Sequence, residues 1–156
     1  MRYLTAILLA LAATACAPRT AAVAPDAPDW LAAATAAAVD FHAGHGLDLE
    51  LVDGPADITV TLDAYHDAPE YVAECDCYVG RPDKVIRVVE QLGTTSAPNP
   101  ALYQSCVVAH EMAHAVGVKH TAQDPGSLMA PFVAPTDTEC QWSAADQAAL
   151  DARGMP

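Results

Sequence analysis

Half of the chain's six histidines stand in one short run, His110-Glu111-Met112-Ala113-His114-Ala115-Val116-Gly117-Val118-Lys119-His120. On an α-helix, residues four apart lie one above the other, so His110 and His114 can meet one metal ion. Imidazole nitrogens at about 2.0–2.1 Å suit zinc. Glu111 sits one residue round the helix, where its carboxylate reaches a metal-held water and can act as a general base. Gly117 lets the chain leave the helix in a conformation other residues resist. His120 can then return as a third ligand. Three neutral imidazoles leave zinc its full charge and one open position, and zinc lowers the pKa of a bound water to about 7. The chemistry implied is hydrolysis by a metal-activated water. Three ordinary histidines on a core helix would not account for the full H-E-x-x-H-x-x-G-x-x-H spacing.

The elements around this run must position it. Tyr103 to Val116 reads as a helix. Ser143 to Arg153 reads as another, with Ser143 as N-cap and Asp146 three residues on, close to a capping box. Upstream, Asp29 to Phe41 places Trp30, Ala34, Ala37 or Ala38, and Phe41 on one helical face, and Gly44 and Gly46 end it. Strands are predicted at Leu47–Val52, around Ile58, Val60 and Leu62, at Cys75–Val79 and at Val85–Val89, from alternation or β-branched content. Arg81–Asp83 reads as a turn, 93–100 as a loop. The order is helix, strands, helix, loop, helix, an α+β pattern with no internal repeat.

Composition bounds the rest. One domain is expected from 156 residues. Asp and Glu number 20 against 7 Lys and Arg, a net charge of −13, so no basic face for nucleic acid can be built, and anionic membrane surfaces are equally poor partners. Leu4 to Ala15 is a short apolar run. Twelve helical residues reach about 18 Å, less than the roughly 30 Å of a bilayer core. Residues 1–15 therefore read as a signal peptide. Ala13-Thr14-Ala15 fits ordinary secretory cleavage, while Ala13-Thr14-Ala15-Cys16 resembles a bacterial lipobox that would make Cys16 a lipidated first residue. A cell-envelope lipoprotein, at the outer membrane or cell surface, is the expectation; a periplasmic or secreted form is the alternative. Residues 16–28, rich in Ala and Pro, read as an extended tether, with the folded domain at 29–156.

Setting Cys16 aside leaves Cys75, Cys77, Cys106 and Cys140, enough for two disulfides in an exported protein. Cys75 and Cys77 are two apart, an awkward span in a strand, so a bridge between them is possible but strained. The expectation is that each pairs with a distant partner, Cys106 or Cys140.

The extended histidine motif resembles that of the metzincin zinc peptidases. Ser127-Leu128-Met129-Ala130-Pro131 resembles their Met-turn, nearest the Leu-Met-x-Pro form of the matrixins, with Met129 packed beneath the ligands. The loop Thr121 to Gly126, the segment Ala56-Asp57-Ile58 and Trp142 to Leu150 as the closing helix are similar as well, and with the helix at 29–41 included the resemblance spans roughly residues 29–153. It implies a metzincin-like catalytic domain with a small, mostly parallel, twisted sheet, an active-site helix and a C-terminal helix. It implies one catalytic zinc on His110, His114 and His120, with Glu111 as base. It also implies that an extended peptide binds antiparallel to an edge strand, 75–79 or 85–89; a monomer is expected. Pro131, Phe132 and Val133, with Val107 or Val116, would wall the side-chain pocket. Cys106 and Cys140 bracket the site; bridged, they would tie the active-site helix to the segment after the Met-turn.

The chain departs from that family in lacking an evident cysteine-switch propeptide and the His/Asp-rich insert that holds structural metals. His42, His45 and His66 are scattered, which disfavours a second zinc. Asp48, Asp53, Asp57, Asp63, Asp67 and Asp76 lack EF-hand spacing, so calcium is unsupported and solvated acids are the better reading. The functional expectation is a zinc endopeptidase. The alternatives are a specialised zinc hydrolase of peptidoglycan cross-links or of one envelope partner, and a non-catalytic metal-bound surface module, against which Glu111 argues.

Overall fold

The computed structural model describes residues 19–63, 72–77, 82–121, 127–133 and 139–152. The signal peptide, Cys16, His66, Asp67, Val79 and most of the loop after Thr121 lie outside them. Five strands form one sheet: β1 (Arg19–Val23), β2 (Leu49–Leu51), β3 (Ile58–Asp63), β4 (Ala73–Asp76) and β5 (Lys84–Val89), in the order β2-β1-β3-β5-β4. All neighbours are parallel except β4, which runs antiparallel to β5. The mixed α/β architecture with a mostly parallel sheet agrees with the sequence.

Residues 19–23 do not agree. Their composition reads as part of a tether, yet β1 is an interior strand, paired with β2 on one side and β3 on the other. The folded unit therefore includes them. Ala21 and Ala22 are buried, and Asp57 accepts hydrogen bonds from the Thr20 amide (2.9 Å) and hydroxyl (3.1 Å). Interior parallel strands are covered on both faces and show no polar alternation. An alanine-rich one lacks even the β-branched signal.

Helix α1 (Asp29–Ala43) and helix α2 (Pro100–Ala115) pack together against the sheet. Ile58 and Val60 of β3 and Ile86 and Val88 of β5 supply the sheet's share of the core; Leu31, Ala34, Ala38 and Val39 supply that of α1. Small alanines on α1 let it approach closely. Helix α2 is buried over most of its circumference, as expected of a helix apolar nearly all round. Pro100 opens it, and the Asn99 side chain accepts from the Leu102 amide at 3.3 Å. A short 3-10 turn at Glu90–Thr94 precedes it. Helix α3 (Ala144–Asp151) begins with a complete Ser143/Asp146 capping box.

Two disulfides are formed, Cys75–Cys77 with Cα atoms 5.2 Å apart and Cys106–Cys140 with Cα atoms 5.5 Å apart. The expectation that Cys75 and Cys77 would each find a distant partner is thus corrected. Cys77 lies just past the end of β4, where the chain leaves the strand and brings the two residues close enough. Cys106–Cys140 ties α2 to the segment before α3. Of the two strands considered as edges, 85–89 is interior and β4 is the sheet edge. Among the described residues no helix is long and apolar enough to cross a membrane.

Candidate metal centre

The end of α2 is what brings the third histidine back. Gly117 adopts φ +85°, the left-handed region where a Cβ is costly. Its amide donates to the His114 carbonyl at 2.7 Å, and the Val118 amide donates to the Ala113 carbonyl at 2.8 Å. These are the two bonds of a Schellman C-cap. The chain reverses, and His120 meets His110 and His114.

The three Nε2 atoms stand 3.0 Å (110–114), 3.1 Å (114–120) and 3.3 Å (110–120) apart. Tetrahedral bonds of about 2.0–2.1 Å give edges of about 3.3–3.4 Å, which these separations approach. His110 Nδ1 lies 2.6 Å from the Leu128 carbonyl and His114 Nδ1 lies 2.7 Å from the Val118 carbonyl. A carbonyl accepts and cannot donate, so both Nδ1 atoms carry the proton and both Nε2 atoms present bare lone pairs. Bare lone pairs 3.0 Å apart repel each other; a cation between them satisfies both. The donor set therefore fits zinc. Among the described residues these three form the one cluster that can hold a metal.

Burial and the two neighbouring imidazoles push the His110 pKa down to about 4, against the opposing bond to Leu128. Burial also lowers that of His114. Both rings are held neutral, the form that ligates. Glu111 is raised to about 7, first by burial and then by Glu74, while the Cys75 amide donates to its carboxylate and pulls the other way. A bound dication would add a further downward pull.

The cleft holds these groups between two walls. One is Val72 to Cys75 on the sheet edge, the other Pro131, Phe132 and Val133, with Tyr103 and Val107 also lining it. Phe132 is 78% exposed at its rim. Val116 is buried in the core and does not line the cleft. Met129 is fully buried; its amide donates to Ser127 Oγ at 3.2 Å and its carbonyl accepts from the Thr121 amide at 2.8 Å. The neighbouring Leu128 orients His110. His42 is buried against α2, bonded to the Ala109 carbonyl at 2.8 Å, apart from the metal cluster.

Sequence reasoning missed the Cys75 amide, a main-chain group with no sequence signature. It also read Asp146 as a helix cap alone. Its carboxylate accepts from Thr121 Oγ1 (2.5 Å) and Ser127 Oγ (2.6 and 2.7 Å) as well.

Comparison with known proteins agrees with this geometry. The family model described as Matrixin matches residues 35–152. No curated protein matches the chain. Among solved structures, the crystal structure of archaemetzincin from Methanopyrus kandleri is similar with a TM-score of 0.61 at 14% identity, covering 86% of this chain and 94% of that one. At that identity the likeness is one of fold.

Proposed function

The chain belongs to the matrixin family, and on that premise we propose that it is an exported zinc endopeptidase cutting internal bonds of extended polypeptides. Membership makes it a zinc metallopeptidase; the finer reading concerns substrate and place. The observation that carries it is the convergence of three imidazole Nε2 atoms within 3.3 Å of one another, beside a buried Glu111, in a cleft bordered by a sheet edge.

Zinc held by His110, His114 and His120 would supply a Lewis acid for the scissile carbonyl and acidify the attacking water. Glu111 takes the proton from that water and delivers it to the leaving amine. The Cys75 amide holds the Glu111 carboxylate in place. The Leu128 and Val118 carbonyls fix two of the ligand rings. An extended peptide adds to β4, so main-chain hydrogen bonds supply affinity with little sequence preference. Pro131, Phe132, Val133 and Val107 give an apolar wall that selects one side chain. The acidic surface favours basic or neutral substrates, less so as salt rises. Lipidation at Cys16 would anchor the monomer to the cell envelope; calcium has no role in this reading.

The test is digestion of a mixed peptide library by the zinc-loaded protein with its disulfides oxidised. Internal cuts that stop on chelation and return with zinc are expected. Trimming from termini alone, or cleavage indifferent to chelation, would overturn the reading.

A further inference from the structure

The three imidazoles are not oriented alike. His110 and His114 each donate Nδ1–H to a carbonyl. Among the described residues, His120 Nδ1 has no such bond, and its ring is exposed. What restrains His120 is the residue after it. The Thr121 amide donates to the Met129 carbonyl at 2.8 Å, and its hydroxyl donates to Asp146 Oδ1 at 2.5 Å.

Asp146 does more than a cap requires. Its Oδ2 accepts from the Ser143 amide at 2.9 Å, which completes the capping box. Its Oδ1 is turned the other way, to Thr121, and Ser127 Oγ reaches both oxygens at 2.7 and 2.6 Å. Ser127 in turn accepts from the Met129 amide, in the turn whose Leu128 carbonyl orients His110. A surface cap would leave its carboxylate in water, yet Asp146 is 0% exposed. Burying a carboxylate is costly unless several donors hold it. Beyond the Ser143 amide of its own cap, the donors come from two segments, each carrying or orienting a histidine. Burial alone would raise the Asp146 pKa, but these hydrogen bonds hold it below the usual carboxylate range.

We propose that Asp146 is a positioning residue of the metal centre: it fixes His120 through Thr121 and the His110-orienting turn through Ser127. The inference rests on the zinc reading above. It assigns the C-terminal helix a part in metal affinity.

The experiment measures zinc affinity of the full chain by chelator competition, the absorption of its cobalt form, and thermal unfolding of the metal-free form. Thr121→Val removes one hydroxyl at constant shape, Thr121→Ser keeps it, and Asp146→Asn removes the charge. Thr121→Val and Asp146→Asn are expected to weaken zinc about 10–100-fold and to alter the cobalt spectrum, with Thr121→Ser near the parent. Zinc affinities of Thr121→Val and Asp146→Asn within about threefold of the parent, with unchanged cobalt spectra, would overturn the proposal even if thermal stability fell. Should Asp146→Asn not fold, Thr121→Val against Thr121→Ser decides. A parent that binds no zinc would remove the zinc reading itself, and the inference with it.

Discussion

His42 sets an acid limit on the metal-free fold. Its ring is 0% exposed. Its Nε2 donates to the carbonyl of Ala109, one residue before His110, and its buried Nδ1 has no partner among the described residues. Burial pushes its pKa down to about 4, the Ala109 bond opposes this and His45 adds to it. In the unfolded chain the ring takes its proton near about 6.5. Between those values the unfolded chain binds the extra proton, so stability falls as pH falls from about 6.5 to about 4. Above that window the ring is neutral in both states and its titration no longer affects stability. At about 1.4 kcal/mol per pH unit the full loss is about 3.5 kcal/mol, of which about 2.5 is reached by pH 4.5. His42→Gln removes the titration while keeping an N–H for Ala109. Urea unfolding of the chelated parent and variant, at about pH 7.5 and about pH 4.5, isolates the effect because His110 and His114 titrate in both. The parent should lose about 2.5 kcal/mol more than the variant between the two conditions. Equal losses would refute the argument from burial.

Gly117→Ala forces an L side chain into φ +85°. It should lower metal-free stability by about 1–2 kcal/mol and weaken zinc, since the Val118 carbonyl and His120 both follow that bend. Thermal unfolding and chelator competition would show it, and an unchanged zinc affinity would contradict it. Replacing Cys106 and Cys140 together by Ala opens a loop of sequence separation 34. The expected cost is about 2–4 kcal/mol in urea unfolding; no change would mean that the bridge does not constrain the chain.

Much of the site was legible because its spacing is dictated by one helix and one glycine. His110 and His114 need only the α-helical repeat, and Gly117 declares the reversal that returns His120. Helix α2 carried a long apolar pattern, and α3 its Ser143/Asp146 cap. What was hidden depends on tertiary neighbours. Strand β1 is alanine on its buried positions, so nothing in Arg19–Val23 distinguishes an interior strand from a spacer. That β4 and not β5 forms the edge follows from sheet order, which local pattern does not encode. The Cys75–Cys77 bridge needs the chain to turn just where β4 ends. Asp146 satisfies its local role so completely that its second set of partners, from Thr121 and Ser127, leaves no trace in the sequence.

In the proposed mechanism three histidines hold the metal while Glu111 moves the proton, and Glu111→Gln separates the two roles. The purified variant, loaded with zinc beside the parent and assayed on the same peptides, should keep one tightly bound zinc. It should lose about 10²–10⁴-fold in kcat, because the base alone is removed. Retention of near-parental turnover with zinc bound would contradict the account.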